Sequence, residues 1–208
     1  IGDNVLILIS VLVMFIFCLI KKGYVNFIDN LKFTRIVLSI QIFVSLFITI
    51  KFGLDVRTIL LNLSLPFLSH IVIVDKKDYL IPYLSIISLF ILGIVSLFIN
   101  EFPYDFVSRN SRIFSFIMFV LLWQLLVFIQ KRINKEFLGG GDLMLFCVIS
   151  LLFGLFITIL GIFIASFVAL VVESLRKNKH KQLPFGPYLI LGFIISILTI
   201  DNIIKILY

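Results

Sequence analysis

Apolar residues recur along the whole chain in runs of membrane-spanning length, separated by short polar or charged turns. A transmembrane helix needs roughly 20 consecutive, mostly apolar residues. With charges and helix breakers as boundaries, the pattern predicts eight helices. They cover residues 4–20, 36–50, 58–74, 80–99, 113–130, 142–153, 155–173 and 187–204. Alternatively, residues 142–173 form one long, bent element that is interrupted near Gly154.

The composition supports a membrane protein. Of 208 residues, 62% are hydrophobic and 14% are charged, whereas a soluble domain has roughly 25% charged residues. The mean hydropathy is +1.23. We therefore expect an all-α, multi-pass bundle of about eight transmembrane helices, some short or bent, in a single domain over residues 1–208.

The basic residues predict the orientation of this bundle. Counting Lys and Arg in alternate loops gives 13 on one side and 5 on the other, out of 18. Loops rich in positive charge stay in the cytoplasm, so the side with 13 is expected to face inward. Insertion bias and anionic membrane lipids account for the net charge of +7, so no nucleic-acid partner is inferred.

Two carboxyl groups fall on this predicted cytoplasmic side. Asp75 ends the third predicted helix, and Asp142 starts the sixth. Two carboxyl groups held close together share one proton, which leaves one as a base for water and the other as an acid for a carbonyl. That chemistry is aspartic proteolysis and needs no metal. Solvated loop charge is the alternative for Asp75, and Asp78 is a competing carboxylate in the same turn.

Three glycines precede Asp142. Without a Cβ, Gly139, Gly140 and Gly141 can adopt positive φ and let an extended substrate approach the backbone. The alternative is that the glycines form a hinge and that Asp142 is a helix N-cap.

Prolines mark two further segments. Pro82 follows Asp75 by seven residues, where a helix is expected to start. Before the last predicted helix, the chain has a rigid entry turn that is also a candidate substrate-lining element. This turn consists of Pro184, Phe185, Gly186 and Pro187.

Cysteine and histidine give little support for a metal site. Cys18 and Cys147 lie in separate apolar runs without a CxxC pair, so neither zinc nor a disulfide is predicted. His70 lies in the third predicted helix and is interpreted as a hydrogen-bonded packing group. His180 lies in the charged loop "RKNKHKQ" and is interpreted as surface charge.

Together, three motifs resemble the type IV prepilin peptidase family of bacterial membrane aspartic endopeptidases. They are an aspartate seven residues before a proline, a Gly-x-Gly-Asp sequence and a Pro-Phe-Gly-Pro segment. This chain matches them with Asp75 and Pro82, with Gly139–Asp142 and with Pro184–Pro187. The resemblance covers a catalytic core over residues 57–208 and is weak over residues 1–56.

The resemblance implies that Asp75 and Asp142 remove the leader from prepilins or pseudopilins at the cytoplasmic face of the bacterial inner or plasma membrane. Such substrates carry a short basic leader before an apolar helix and serve pilus, secretion or DNA-uptake machinery. Proteolysis would require no cofactor. Members that also N-methylate the product with S-adenosylmethionine carry a cysteine-rich zinc segment, which is absent from the loop "KKGYVNFIDNLKFTR".

One departure and two alternatives accompany this hypothesis. Many members have lysine two residues after the second aspartate, where this chain has Met144. A presenilin-like intramembrane protease also uses a Gly-x-Gly-Asp aspartate, but its Pro-Ala-Leu and Tyr-Asp motifs are absent. The other alternative is a small transporter that uses Asp75 and Asp142 as a proton relay, although no internal repeat is evident.

Overall fold

The computed structural model describes residues 31–53, 56–98, 108–134, 139–175 and 184–207. Within these residues the chain forms six α-helices and no strand. The predicted helix 4–20 lies outside the described residues. The helices are α1 (Leu31–Phe52), α2 (Val56–Asp78), α3 (Tyr83–Phe98), α4 (Arg109–Ile133), α5 (Gly140–Leu175) and α6 (Gly186–Leu207).

The expected number of eight helices is wrong for the part of the chain that the structure describes. Residues 142–153 and 155–173, predicted as two helices, are continuous in α5, which joins two helical segments across a kink at the predicted break, Gly154. The interruption lies at Gly154, which has φ 81° and ψ 177°. This backbone conformation is essentially restricted to glycine, because a Cβ would collide with the neighbouring peptide groups.

Contacts on either side of Gly154 show that the chain reverses there. Before it, Leu151 packs on Gly93 near the end of α3. After it, Gly161 packs against Phe193, which is only about two turns into α6. Since α3 and α6 both start at the same end of the bundle as α5, the segment after Gly154 runs back towards that end.

Four of the helices are long and apolar enough to cross a membrane, namely Lys32–Phe52, Thr58–Asp78, Arg109–Ile133 and Gly140–Leu175. The apolar parts of α3 and α6 are shorter. Large hydrophobic side chains are exposed on the outer faces, as expected of helices that contact lipid. Examples are Phe43, Leu121, Phe163 and Leu170. The chain is therefore a membrane protein.

The first half of α5 forms the centre of the bundle. Nearly every side chain from Leu143 to Phe153 is buried, with Met144 only half-buried. This segment contacts α3 through Leu151 and Gly93 and α4 through Ser150 and Ser115, and α5 as a whole also packs against α6. Because close packing fixes buried side chains in single rotamers, the residue at the entrance to this segment, Asp142, is attached to a rigid element.

Polar side chains join the helices at the end of the bundle away from Asp142. Arg112 is buried and donates to Ser96, with 2.8 Å from Nη1 to Oγ and 3.1 Å from Nη2 to the carbonyl oxygen. Ser115 donates a 2.8 Å hydrogen bond to the carbonyl oxygen of Ser150. Such bonds hold membrane helices together where the hydrophobic effect between them is weak.

Candidate active site

Asp75 lies inside α2 rather than in a loop after it. The sequence "VDKKD" forms the last turn of α2, so the prediction that the helix ends at residue 74 is wrong. Lys76 and Lys77 stabilise this turn through the negative end of the helix dipole. The helix ends at Asp78, and the following Tyr79 has φ 55° and donates its backbone N–H to the Asp75 carbonyl over 3.0 Å.

The Asp75 carboxyl group is buried and held by the start of α6. Its side chain is 5% exposed, and its Oδ2 accepts a 2.8 Å hydrogen bond from the backbone N–H of Gly186. Backbone N–H groups at a helix start are unpaired within the helix and favour an anion. An alanine methyl at Gly186 would lie 2.8 Å from Asp75 Oδ2, so this approach requires glycine.

Asp142 is the third residue of α5 and is half-buried. The carbonyl oxygen of Gly139 accepts the backbone N–H groups of Asp142, over 3.1 Å, and of Leu143, over 3.4 Å. The residue before the helix is therefore Gly139, and Asp142 does not occupy the N-cap position. The neighbouring Gly141 lies against Ile81, in the turn that follows α2, so Asp142 is at the same end of the bundle as Asp75.

The glycines before Asp142 provide space rather than unusual dihedral angles. Among the described residues, the glycines with positive φ are Gly53 and Gly154, so the prediction of positive φ at Gly139–Gly141 is wrong. A methyl on Gly141 would lie 3.1 Å from the Cβ of Ile81, whereas one on Gly140 would have no heavy atom within 4 Å. Gly141 thus lets the turn before α3 approach the start of α5.

That turn ends at Pro82, which directly precedes α3, so the helix starts three residues after the predicted position, residue 80. The Pro82 carbonyl accepts the N–H groups of Ser85 over 3.1 Å and of Ile86 over 3.3 Å. Through Ile81, the turn contacts Gly141. Four segments therefore meet at one end of the bundle: the end of α2, the turn before α3, the start of α5 and the start of α6.

Two further polar residues near Asp75 have distinct environments. Asp78 is exposed at the last position of α2, unlike the buried Asp75. His70 Nδ1 lies 2.7 Å from Ser85 Oγ, which links α2 to α3 and agrees with a packing role. Sequence reasoning missed Ser85, although its position three residues after Pro82 could have indicated it. His180 lies outside the described residues.

The remaining predicted residues surround this end without forming a recognisable metal site. Phe185 and Met144 pack against the hydrophobic core, and Pro184 and Pro187 are half-buried on either side of Gly186. Within the described ranges, no group of three or more His, Cys, Asp or Glu side chains is arranged to hold a metal ion.

Residues 62–173 match the type IV leader peptidase family, which is more than half of the chain. The chain belongs to this family. The matched region contains Asp75, Pro82 and Gly139–Asp142, and it ends before the Pro184–Pro187 segment. No curated protein and no solved structure matched the chain.

Family membership carries a general function with it. A type IV leader peptidase is a protease that acts on a prepilin-type substrate. This result favours the first of the three hypotheses drawn from the sequence. The division at residue 56 and the roles of individual residues remain predictions.

Proposed function

We propose that this protein is an aspartic endopeptidase that removes the leader peptide from type IV prepilins or pseudopilins, with Asp75 and Asp142 as its catalytic pair. The observation that carries the proposal is the convergence of these two carboxyl groups. They come from helices distant in sequence and lie at one end of the bundle, where Gly186 contacts Asp75 and Ile81 contacts Gly141, and they belong to a chain of the type IV leader peptidase family.

The proposed mechanism uses one proton shared between the two carboxyl groups. The ionised carboxylate takes a proton from water, and the water oxygen attacks the scissile carbonyl carbon. The protonated carboxyl group gives its proton to the carbonyl oxygen, forming a neutral gem-diol. Collapse of the diol breaks the C–N bond, the leaving nitrogen takes a proton, and the pair again holds one proton.

The surroundings of the pair suit an extended substrate. Gly139 and Gly140 are exposed, and no atom lies within 4 Å of a methyl placed on Gly140. A peptide strand can therefore approach the start of α5 from this side. Asp75 is held by the backbone N–H of Gly186. Pro82, Pro184, Phe185 and Pro187 are proposed to shape the site rather than to react.

We assign the site to the cytoplasmic side of a bacterial cell membrane. Lys76 and Lys77 follow Asp75, and basic residues also lie near the starts or ends of other helices at this end. These are Lys32, Arg35, Lys131 and Arg132. Lys51, Arg109 and Arg112 lie at the opposite end, and the excess of positive charge favours retention in the cytoplasm.

Substrate recognition at this face cannot rest on net charge. A basic leader is repelled by a face rich in Lys and Arg, so local carboxylates and packing of the apolar helix within the membrane must provide the affinity. Proteolysis is proposed to need no cofactor. We assign no S-adenosylmethionine-dependent methylation, because residues 21–35 contain no cysteine.

The test is incubation of the protein, reconstituted in liposomes, with an intact prepilin. N-terminal sequencing of the product should show one new terminus at the junction between leader and apolar helix. Cleavage within the apolar helix would instead indicate a presenilin-like protease. Proton movement across the liposome membrane without any cleavage would indicate a relay.

A further inference from the structure

An apolar groove opens along the bundle between α1, α2 and α6. It has a volume of about 390 Å³, within the range of sites that hold ligands. Its walls consist almost entirely of aliphatic, aromatic and proline side chains. Those that carry the argument below are Phe33, Ile40, Gln41, Lys76, Pro184 and Leu191.

The groove is continuous with the candidate active site. Lys76, which lines one end of the groove, directly follows Asp75. Pro184 and Pro187, which line the same end, flank the Gly186 whose N–H binds Asp75. Whatever lies in the groove therefore ends beside one carboxyl group of the proposed catalytic pair.

Two polar features distinguish this groove from an ordinary lipid-facing surface. At the end near the site, Lys76 Nζ lies 3.9 Å from the centroid of the Phe33 ring. Farther along α1, the Gln41 side-chain oxygen is buried and has no hydrogen-bond partner among the described residues. Leaving a buried acceptor unpaired is costly, so an occupant with an N–H or O–H group would be stabilised there.

The position of Gln41 specifies where that donor should be. Gln41 is eight residues after Phe33 on α1, which corresponds to about 12 Å along the helix axis. A lipid acyl chain at that depth has no donor. A polypeptide helix can present a polar side chain there, about two turns from its end at the site.

We propose that this groove binds the apolar helix of the prepilin, with a donor side chain about two turns along that helix bonded to Gln41. The inference rests on the proposed function, since it takes the substrate to be a prepilin. The groove then aligns the helix so that the peptide bond at its start lies beside Asp75. It also supplies the affinity that net charge cannot.

Cross-linking tests occupancy independently of cleavage. A photoreactive p-benzoylphenylalanine is placed at Ile40 in the groove, and in a control protein at Ile117 on α4, outside it. The two positions are 54% and 51% exposed. In liposomes containing intact prepilin, the probe at position 40 should form an adduct with the prepilin helix, and the probe at position 117 should not. The same result is expected when each protein also carries Asp142→Asn.

A steric substitution tests the effect on catalysis. Leu191→Trp should fill the groove and raise KM by about tenfold, which corresponds to roughly 1.4 kcal/mol of binding, while kcat stays nearly constant. Leu122→Trp on α4 is the matched control, because Leu191 is 43% exposed and Leu122 41%. The KM of the Leu122→Trp variant should equal that of the unsubstituted protein. Gln41→Leu should also raise KM without changing kcat.

The outcomes separate this inference from the proposed function. Cleavage by the unsubstituted protein, combined with Ile40 adducts only to lipid or to residues 1–30 of the same chain, would overturn the groove assignment. An unchanged KM for Leu191→Trp would also overturn it. Prepilin adducts from Ile40 without cleavage would support the groove and refute the protease mechanism.

Discussion

The backbone N–H of Gly186 donates a 2.8 Å hydrogen bond to Oδ2 of Asp75, which joins the start of α6 directly to the end of α2. The contact connects residues 111 positions apart. It also gives the Pro-Phe-Gly-Pro segment a physical role, because two half-buried prolines flank the one residue that is small enough to reach the carboxyl group.

Glycine at position 186 is therefore expected to be essential for cleavage. A methyl in Gly186→Ala would lie 2.8 Å from Oδ2 of Asp75 and 3.2 Å from its Cβ, so the carboxyl group must move. A shift of this kind in a catalytic group costs about 100-fold in rate. Cleavage of prepilin by the purified variant measures the loss.

Leu121→Ala is the control for that variant, because Leu121 is 60% exposed on the outer face of α4, away from the candidate site. Its cleavage rate should equal that of the unsubstituted protein. Equal rates for both variants would mean that the Gly186 contact does not position Asp75.

The two proposed catalytic carboxyl groups should each be indispensable. Asp75→Asn and Asp142→Asn keep the side-chain shape but remove the base or acid, so cleavage should fall by about 10⁴-fold or more. Asp78→Asn, at the exposed end of α2, should cleave normally. All three proteins should insert into membranes. Normal cleavage by Asp75→Asn, together with loss of cleavage in Asp78→Asn, would show that Asp78 and not Asp75 is the catalytic carboxyl group.

Cleavage should depend on pH in a bell-shaped manner. At low pH both carboxyl groups are protonated and no base remains, so the rate rises as the first proton leaves. At high pH both are ionised and no acid remains, so the rate falls as the second proton leaves. The profile of kcat/KM, measured with equal pH on both sides of the liposome membrane, tests this. A rate that only increases towards alkaline pH would contradict a shared-proton pair.

Chelators should leave cleavage unchanged, because the mechanism relies on carboxyl groups and water alone. The measurement compares prepilin cleavage before and after dialysis against EDTA and 1,10-phenanthroline. A protein inactivated by the chelator and restored by added zinc would require a different chemistry.

Gly154→Ala should destabilise the bundle. Its φ of 81° and ψ of 177° impose a strain of about 1–3 kcal/mol on a residue with a Cβ. The single tryptophan, Trp123, packs against the core and reports unfolding by its fluorescence in detergent. Gly140→Ala serves as the control for stability, because a methyl there has no heavy atom within 4 Å. Identical unfolding curves for the two variants would show that the reversal tolerates a side chain.

The sequence predicted the described helices, but several of their ends differ from the predicted ones. For example, α3 was predicted to start at residue 80 and starts at Tyr83, directly after Pro82. A break at Gly154 was predicted, but the reversal of the chain there was not, because it lies within a continuous apolar run and no polar residue marks it. Hydropathy alone could not decide between two helices and one interrupted element.

The candidate site was predictable in its residues but not in its contacts. The motifs indicated Gly141 and Gly186, but the neighbours that require glycine there are Ile81 and Asp75, which are remote in sequence. The expectation of positive φ failed for this reason, since crowding by a distant side chain leaves no local signal. The sequence did not single out Gln41, because helix packing alone can explain a single glutamine in an apolar helix.

The short first segment of α5 determines how deep the reaction takes place. From Gly140 to Phe153 the helix is about 21 Å long, less than the roughly 30 Å of bilayer hydrocarbon. Arg112 lies near its Gly154 end, buried between helices. Asp142 therefore lies less than one bilayer thickness from that end. The exposed backbone at Gly139 and Gly140 offers water a polar path to the proposed reaction.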